Sequence, residues 1–594
     1  MKLIIKNDYE QMCQWAADHI ANAICNHTED RPFVLGLPTG SSPLGVYRRL
    51  IEKNKAGEVS FKNVVTFNMD EYVGLPREHD QSYWYFMHDN FFNHIDIPAE
   101  NILTIPVELN KDELIDFCSA YEERINQLGG IDLQITGIGR SGNIAMNEPG
   151  TQINSNTRLV ILDNNSREDA KINFGSVDLV PNSAITLGFD TIMQSKEIIL
   201  LVLGEHKSSI IRDAIENAQT TACPASLLQS HKNSKCILDL GAANLLTRIN
   251  HPWKVTSCEW TDQLVRRAVV WLCEQTKKPI LKLTNKDYND FGLSELITKY
   301  DSAYNCNIKV FNDLQHTITG WPGGKPNADD STRPVKSTPF PKNVLIFSPH
   351  PDDDVISMGG TFIRLVEQGH NVHVAYETSG NVAVHDDVVL QNIDVAHELG
   401  FADEYANVEA IIKSKKPGEP EPRPLLNIKG ALRRAEARAA VRSFGLNPDT
   451  HAHFLNLPFY ETGGISKSPF TQADIDIVAA LLREVKPHQI YAAGDLSDPH
   501  GTHRTCIEIV LEAIAVVKDD EWFKDCHLWL YRGAWMEWDL GSVDMAVPLS
   551  PNEIITKRHA IYRHLSQKDI VPFPGDDPRE FWQRSEDRTQ TTAK

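Results

Sequence analysis

The chain has 594 residues, 41% of them hydrophobic and 23% charged, with a formal net charge of −21. That length exceeds what one core organises, so two or three domains are expected, and the acidic balance argues against nucleic acid or an anionic membrane as partner while leaving room for an anionic small molecule held by local cations. Ten cysteines are scattered without paired CxxC spacing, as in a reducing compartment, and no apolar run is long enough for a signal segment or a bilayer span, so the expected location is cytoplasmic.

Residues 1 to about 255 alternate short apolar runs with amphipathic stretches. A helix is predicted over Tyr9 to Ala23, and buried strands at Pro32–Leu37, Val64–Phe67, Leu133–Ile135 and Ile198–Leu203. This alternation predicts a doubly wound, mainly parallel sheet. Pro38-Thr39-Gly40-Ser41-Ser42-Pro43 follows a strand and precedes a helix. Small residues and free amides there suit a phosphate, and an ordinary strand-to-helix turn has the same composition. Phe67-Asn68-Met69-Asp70-Glu71 puts two carboxylates at a strand end, and a glycine-rich run, Gly137-Ile138-Gly139-Arg140-Ser141-Gly142-Asn143, leads to Glu148.

Residues 256–338 read as a small mixed connector. It holds an amphipathic helix with Leu264, Ala268, Val269 and Leu272 on one face, a strand-like Ile280–Leu283, and a turn-rich stretch through Trp321-Pro322-Gly323-Gly324. A second α/β pattern opens near 339, with Val344–Ile346, Val372–Tyr376 and Ile490–Ala493 as strands. Lys413 to Pro424 reads as an exposed loop, and Ser585 to Lys594 as a frayed polar tail. Two of these strands are followed by chemistry. His350-Pro351-Asp352-Asp353-Asp354 follows the first, and Asp498-Pro499-His500-Gly501-Thr502-His503 follows the last. Each run alone reads equally well as a helix cap or ordinary loop histidines. Together they can supply His, Asp and His to one metal and leave a carboxylate and an imidazole for proton transfer.

With FNMDEYVGL, NEP and LVLG ahead of Lys207 in hand, residues 1–250 strongly resemble glucosamine-6-phosphate deaminase. The resemblance implies that Asp70 is the base moving a proton between C2 and C1 of the opened amino sugar. It makes Glu148 part of the ring-opening apparatus. The loop of Thr39, Gly40, Ser41 and Ser42 would hold the 6-phosphate with Lys207, and no cofactor is implied. Lys171 stands where the family usually has an arginine, keeping the charge without the bidentate fork. Ser141 and Asn143 occupy the positions of the family's Asp and His, the ring-opening pair. Neither replacement does the same work, because Asn143 does not titrate and Ser141 does not stabilise an imidazolium. Arg158 matches a residue used for a regulatory sugar phosphate, and equally suits a solvated surface position; Val160 replaces a lysine there.

Residues 339 to about 590 resemble the PIG-L/LmbE-like zinc-dependent N-deacetylases at His350-Pro351-Asp352-Asp353 and at His500 and His503. The resemblance implies zinc held by His350, Asp353 and His503, Asp352 as general base on the attacking water, and His500 stabilising the oxyanion or protonating the leaving amine. The fold expected is α/β, two Rossmann-like units over 1–255 and 339–594 with the connector between. The function expected is a hydrolase of amino-sugar metabolism: a deaminase-like half fused to a deacetylase of an N-acetylglucosamine-type sugar. The alternative is a catalytically silent sugar-phosphate-binding or oligomerisation module on an active deacetylase. Small amino-sugar phosphates are the expected partners, and a homo-oligomer is expected by analogy alone.

Overall fold

The computed structural model describes residues 1–106, 111–164, 166–167, 170, 174, 177–314, 329–331, 336–401, 407–415, 420–464, 467–496, 498, 501–568, 577 and 579–593. The chain divides into two compact units, Met1–Cys258 and Glu259–Lys594. Strands of the first are β1 (Lys2–Lys6), β2 (Phe33–Leu37), β3 (Val64–Asn68), β4 (Asp70–Tyr72), β5 (Ile102–Leu103), β6 (Leu133–Thr136), β7 (Arg158–Ile161), β8 (Ser183–Thr186), β9 (Glu197–Val202) and β10 (Ser234–Asp239).

Seven of them form a wholly parallel sheet in the order β1-β10-β9-β6-β2-β3-β5. Every residue of β2 and β3 is buried, which is why these strands read as unbroken apolar runs. Successive side chains enter opposite layers: Val34, Phe67 and Ile198 one, Leu35, Ile135 and Ile199 the other. The strand order reverses between β2 and β6. That is the crevice at which open α/β sheets collect ligands, outside the C-terminal strand ends. The remaining strands form a small antiparallel sheet, β4-β8-β7. Segments of three and four residues lack enough periodicity to be read as strands beforehand.

The second unit has β11 (Asn343–Ser348), β12 (Asn371–Tyr376), β13 (Ala452–Phe454), β14 (Gln489–Ala493) and β15 (His527–Tyr531) in the parallel order β13-β12-β11-β14-β15. The mainly parallel, Rossmann-like expectation therefore holds in both units. Helix Asp262–Thr276 starts at a Thr261 cap and buries Val265, Ala268, Val269, Trp271 and Leu272.

Three local expectations are corrected. Ile280–Lys282 is a 3-10 turn, since Pro279 fixes the entry and only Leu283 of the run is buried. The loop predicted over Lys413–Pro424 is shorter, because helix Val408–Lys413 enters it and helix Arg423–Ser443 leaves it. Lys415 there pairs with Asp386 at 2.7 Å. The frayed tail is a helix, Phe581–Ala593, that buries Phe581, Arg584 and Ser585. Ser585 Oγ donates to the Ile356 carbonyl at 2.8 Å, and Arg588 donates to the carbonyls of Gly533, Ala534 and Trp535. Polar composition hid a docking face whose partners are backbone carbonyls. Lys171, Trp321–Gly324 and His500 lie outside the described residues.

Candidate active sites

In the first unit four adjacent strand ends carry the four motif runs. β2 leads into Pro38–Ser42, β3 into Asp70, β6 into the glycine-rich loop, and β9 into Gly204–Lys207. Gly40 has φ +98 and caps helix Ser41–Lys55 with no side-chain hydrogen bond. A left-handed glycine there leaves the first helical amides facing outward, an anion cradle in form. Lys207 ends a 3-10 turn and precedes helix Ser208–Glu216.

Asp70 opens β4, where it pairs with Thr186 of β8. Burial, with Glu71 beside it, raises the Asp70 carboxyl to about 7. Such a value suits a group that must both take and return a proton near neutrality. Glu71 accepts backbone N–H from Tyr72, Tyr83 and Trp84 at 2.9, 3.0 and 2.7 Å, so it anchors the turn. The Met146 amide donates to Thr186 Oγ1 at 3.2 Å, tying β8 to the glycine-rich loop.

In that loop Ser141 Oγ shares its one proton between Asn143 Oδ1 at 2.9 Å and Glu148 Oε2 at 3.2 Å. Asn143 Nδ2 donates to the Ala145 carbonyl at 2.9 Å. Ser166 Oγ donates to Glu148 Oε1. A Cβ at residue 139 would come within 1.8 Å of Asn143 Oδ1, so Gly139 is what lets the amide tuck in. Ser141, Asn143 and Glu148 thus form one hydrogen-bonded set with no titrating imidazole. Ser166 was missed in the sequence, where an isolated serine carries no signal.

In the second unit His350, Asp353 and His503 each direct one ligand atom into a space where all three lie within 4.8 Å of one another. β11 and β14 are neighbours, and the runs after them deliver the set. His350 Nδ1 is 3.3 Å and His503 Nε2 3.2 Å from Asp353 Oδ2. His503 Nδ1 donates to the Asp495 carbonyl at 2.9 Å, which leaves the Nε2 lone pair facing the carboxylate. That Nε2 is buried and makes no hydrogen bond. A buried orphan imidazole nitrogen beside a carboxylate and a second imidazole is a donor set that fits zinc.

The electrostatics agree. Burial opposes charge on His503, yet Asp353, Asp498 and Asp495 hold its pKa up at about 10, so a proton stands on Nε2 wherever a metal does not. Burial likewise opposes the Asp353 charge, and the imidazoles, His503 foremost, hold its carboxyl well below the usual range. The cluster has a surplus of negative potential that favours a cation.

Asp352 is buried beside them, and its Oδ2 lies 3.3 Å from Arg433 Nη2. Burial raises the Asp352 carboxyl and Arg433 pulls it back. Asp354 is fully buried, accepts from Tyr376 Oη at 3.1 Å, and points away from any ligand role. Arg433, Glu377 and His564 were missed in the sequence. Glu377 directly follows β12 and is raised by burial to about 8, so strand-end logic applied to β12 finds it. Arg433 comes from helix Arg423–Ser443 and His564 from the turn after helix Pro551–Ile561, both far along the chain, and neither leaves a local signature.

His564 is buried, and burial, then the nearby Arg433, pushes it down to about 3. The unfolded chain takes up this proton near pH 6.5, whereas the folded chain refuses it until about 3. Its contribution to stability is present above about 6.5 and is lost as pH falls toward 3, by up to about 1.4 kcal/mol per pH unit. His564→Gln is expected to flatten this arm when urea midpoints are compared at pH 7 and pH 5.

The comparisons with known proteins follow this layout. Residues 7–237 match the family model of glucosamine-6-phosphate isomerases/6-phosphogluconolactonase, and residues 345–514 that of GlcNAc-PI de-N-acetylase. A glucosamine-6-phosphate deaminase-like protein of Bacteroides thetaiotaomicron is 51% identical over 602 residues, covering 99% of this chain and 91% of that one. The glucosamine-6-phosphate deaminase of Phocaeicola vulgatus is 45% identical over 249 residues, 41% of this chain and 94% of the relative. The chain belongs to the glucosamine-6-phosphate deaminase family. A solved structure of a monomeric glucosamine-6-phosphate deaminase is 38% identical, aligned over 41% of this chain and all of that one, with a TM-score of 0.40. The first unit is thus a glucosamine-6-phosphate deaminase-like domain, and the second carries a PIG-L deacetylase-like domain. Hydrolase fits the PIG-L-like domain, and the deaminase-like half is not a plain hydrolase, since its family model joins isomerases with a lactonase. No described helix is long and apolar enough to cross a membrane.

Proposed function

We propose that this deaminase-family chain is an amino-sugar enzyme whose second unit is a zinc-dependent N-deacetylase of an N-acetylglucosamine-type sugar. The observation that carries the reading is the convergence of His350, Asp353 and His503 with Asp352 beside them. Zinc held by those three would polarise the amide carbonyl and acidify water. Asp352, adjacent in sequence to a ligand, takes the proton of the attacking water. Arg433 holds the other side of that carboxylate. Asp495, through its carbonyl, fixes the ring and tautomer of His503. His500 is assigned, on resemblance alone, to the oxyanion or the leaving amine.

The first unit we assign to binding a hexose 6-phosphate, with Thr39–Ser42 and Lys207 at the phosphate, Lys171 as a further cation, and slow or absent deamination. The Asp70 carboxyl, raised to about 7 by burial and Glu71, supports its part as the proton carrier. The altered trio of Ser141, Asn143 and Glu148 supports the loss of ring opening, and a silent sugar-phosphate-binding module is its limiting form.

Offering N-acetylglucosamine, its 6-phosphate and glucosamine 6-phosphate separately, with acetate and ammonia as readouts, tests both halves. Acetate from neither acetylated sugar defeats the deacetylase assignment; fast ammonia release from glucosamine 6-phosphate defeats the silent reading. One divalent ion is expected in the three-ligand cluster. His350→Ala or His503→Ala should lose it, as read by metal analysis of that cluster's occupancy, together with acetate release.

A further inference from the structure

A second group of imidazoles lies on the sheet of the second unit. β12 and β13 run side by side, with Ala375 opposite His453. Leu345, Phe347 and Ala375 belong to the core layer beneath helix Gln472–Val485, while Val372 and Val374 belong to the other layer. Side chains alternate along a strand, so His373 and His453 share the face of Ala375. His451 stands two residues before His453, at the end of the short helix Pro448–His451.

The three rings meet. The His373 ring centre is 5.2 Å from those of both His451 and His453. His373 Nδ1 and His453 Nε2 are 3.0 Å apart and share one proton. His451 Nδ1 donates to the Val372 carbonyl at 2.9 Å, which fixes the tautomer and leaves its lone pair on Nε2. All three side chains are half-buried, so solvent reaches them. Burial and mutual proximity hold His373 near 4 and His453 below its ordinary value, so both are neutral at pH 7, while Glu484 acts on His453 in the opposite sense. A pair of neutral imidazoles in contact, a third beside them and a carboxylate nearby have no evident packing purpose at a half-open sheet edge.

We propose that His373, His451 and His453 form a second metal site, for a divalent transition-metal ion of the zinc or nickel type, separate from the cluster at the strand ends. Imidazole suits such ions. The ion takes the place of the proton that His373 and His453 share, and the ring that carried it takes up a proton from water on its other nitrogen while the displaced one leaves to water, so both imidazoles stay neutral. Their nitrogens, 3.0 Å apart, need to separate only to about 3.3 Å for tetrahedral bonds of roughly 2.0–2.1 Å. His451, its Nδ1 held by the Val372 carbonyl and its ring centre 5.2 Å from that of His373, is the third donor. Among the described residues only His350, Asp353 and His503 already hold three donor atoms within 4.8 Å, so the second site closes on binding and is the weaker of the two.

The test uses the full chain carrying His350→Ala and His503→Ala, which disables the first cluster. Equilibrium dialysis against Zn(II) is expected to give one ion per chain. Adding His373→Asn and His453→Asn should abolish it, and Zn(II) should raise the thermal midpoint before those changes and not after. His451→Gln leaves the imidazole pair intact and should weaken binding at least tenfold, which keeps the test independent of how the paired variant folds. No bound Zn(II) in the parent, or undiminished binding after His373 and His453 are replaced, overturns the proposal. Because the first cluster is disabled throughout, neither result bears on the deacetylase reading.

Discussion

Asp352→Asn is expected to keep the metal and to lose deacetylase turnover by roughly 10²–10⁴-fold, the usual cost of removing one general acid or base. The asparagine is nearly isosteric and still accepts from Arg433, so the buried pair keeps a hydrogen bond while the carboxylate is gone. The loss should fall on kcat with metal content near that of the parent, and the thermal midpoint should drop as well, because the buried Arg433 loses this counter-charge while keeping a hydrogen bond. Removing Arg433 instead strands a buried carboxylate, so Arg433→Met should cost stability as well as rate. Acetate release measured beside metal content separates the two. A fully active Asp352→Asn chain would show that another group accepts the proton, with Glu377, buried and raised to about 8, one candidate.

The second large effect is a gain. Ser141→Asp together with Asn143→His is expected to raise ammonia release from glucosamine 6-phosphate by roughly 10²–10⁴-fold, the same general acid/base increment in reverse. Asn143→His alone restores a titrating ring without a carboxylate to orient it, and Ser141→Asp alone places a second carboxylate beside Glu148 with no cation between them. The joint gain should therefore exceed the product of the single gains, as for residues that act as a unit. The present contacts make the exchange local, since Ser141 already reaches both Asn143 and Glu148. A native chain that turns over quickly, at a rate neither change alters, would mean that Glu148 opens the ring unaided.

The features that were legible in the sequence have short range. Apolar runs bounded by turn residues revealed β2, β3, β6, β9, β11, β12 and β14, and the residues just beyond them held most of the chemistry. β13 and β15 were not legible, because strand β15 keeps Leu528 and Leu530 largely exposed and β13 has three half-buried residues. The partners of the site came from afar for the same reason. Arg433 sits on a helix whose polarity suggests an exposed face, and only the fold shows that it is buried against Asp352. The tail failed in the same direction: Ser585 and Arg588 look solvated until the carbonyls they meet are known.

That tail has a bearing on how the chain is made. Ser585 caps the carbonyl of Ile356, in the turn directly behind His350 and Asp353, and Arg588 ties down the carbonyls after β15. Met1–Cys258 is one contiguous, compact unit, so a growing polypeptide can fold that half while still on the ribosome. The second half differs. Its earliest motif must wait for residues more than two hundred positions later before the turn behind it is covered. A premature stop within helix Phe581–Ala593 is therefore expected to spare the deaminase-like unit and to destabilise the PIG-L deacetylase-like unit.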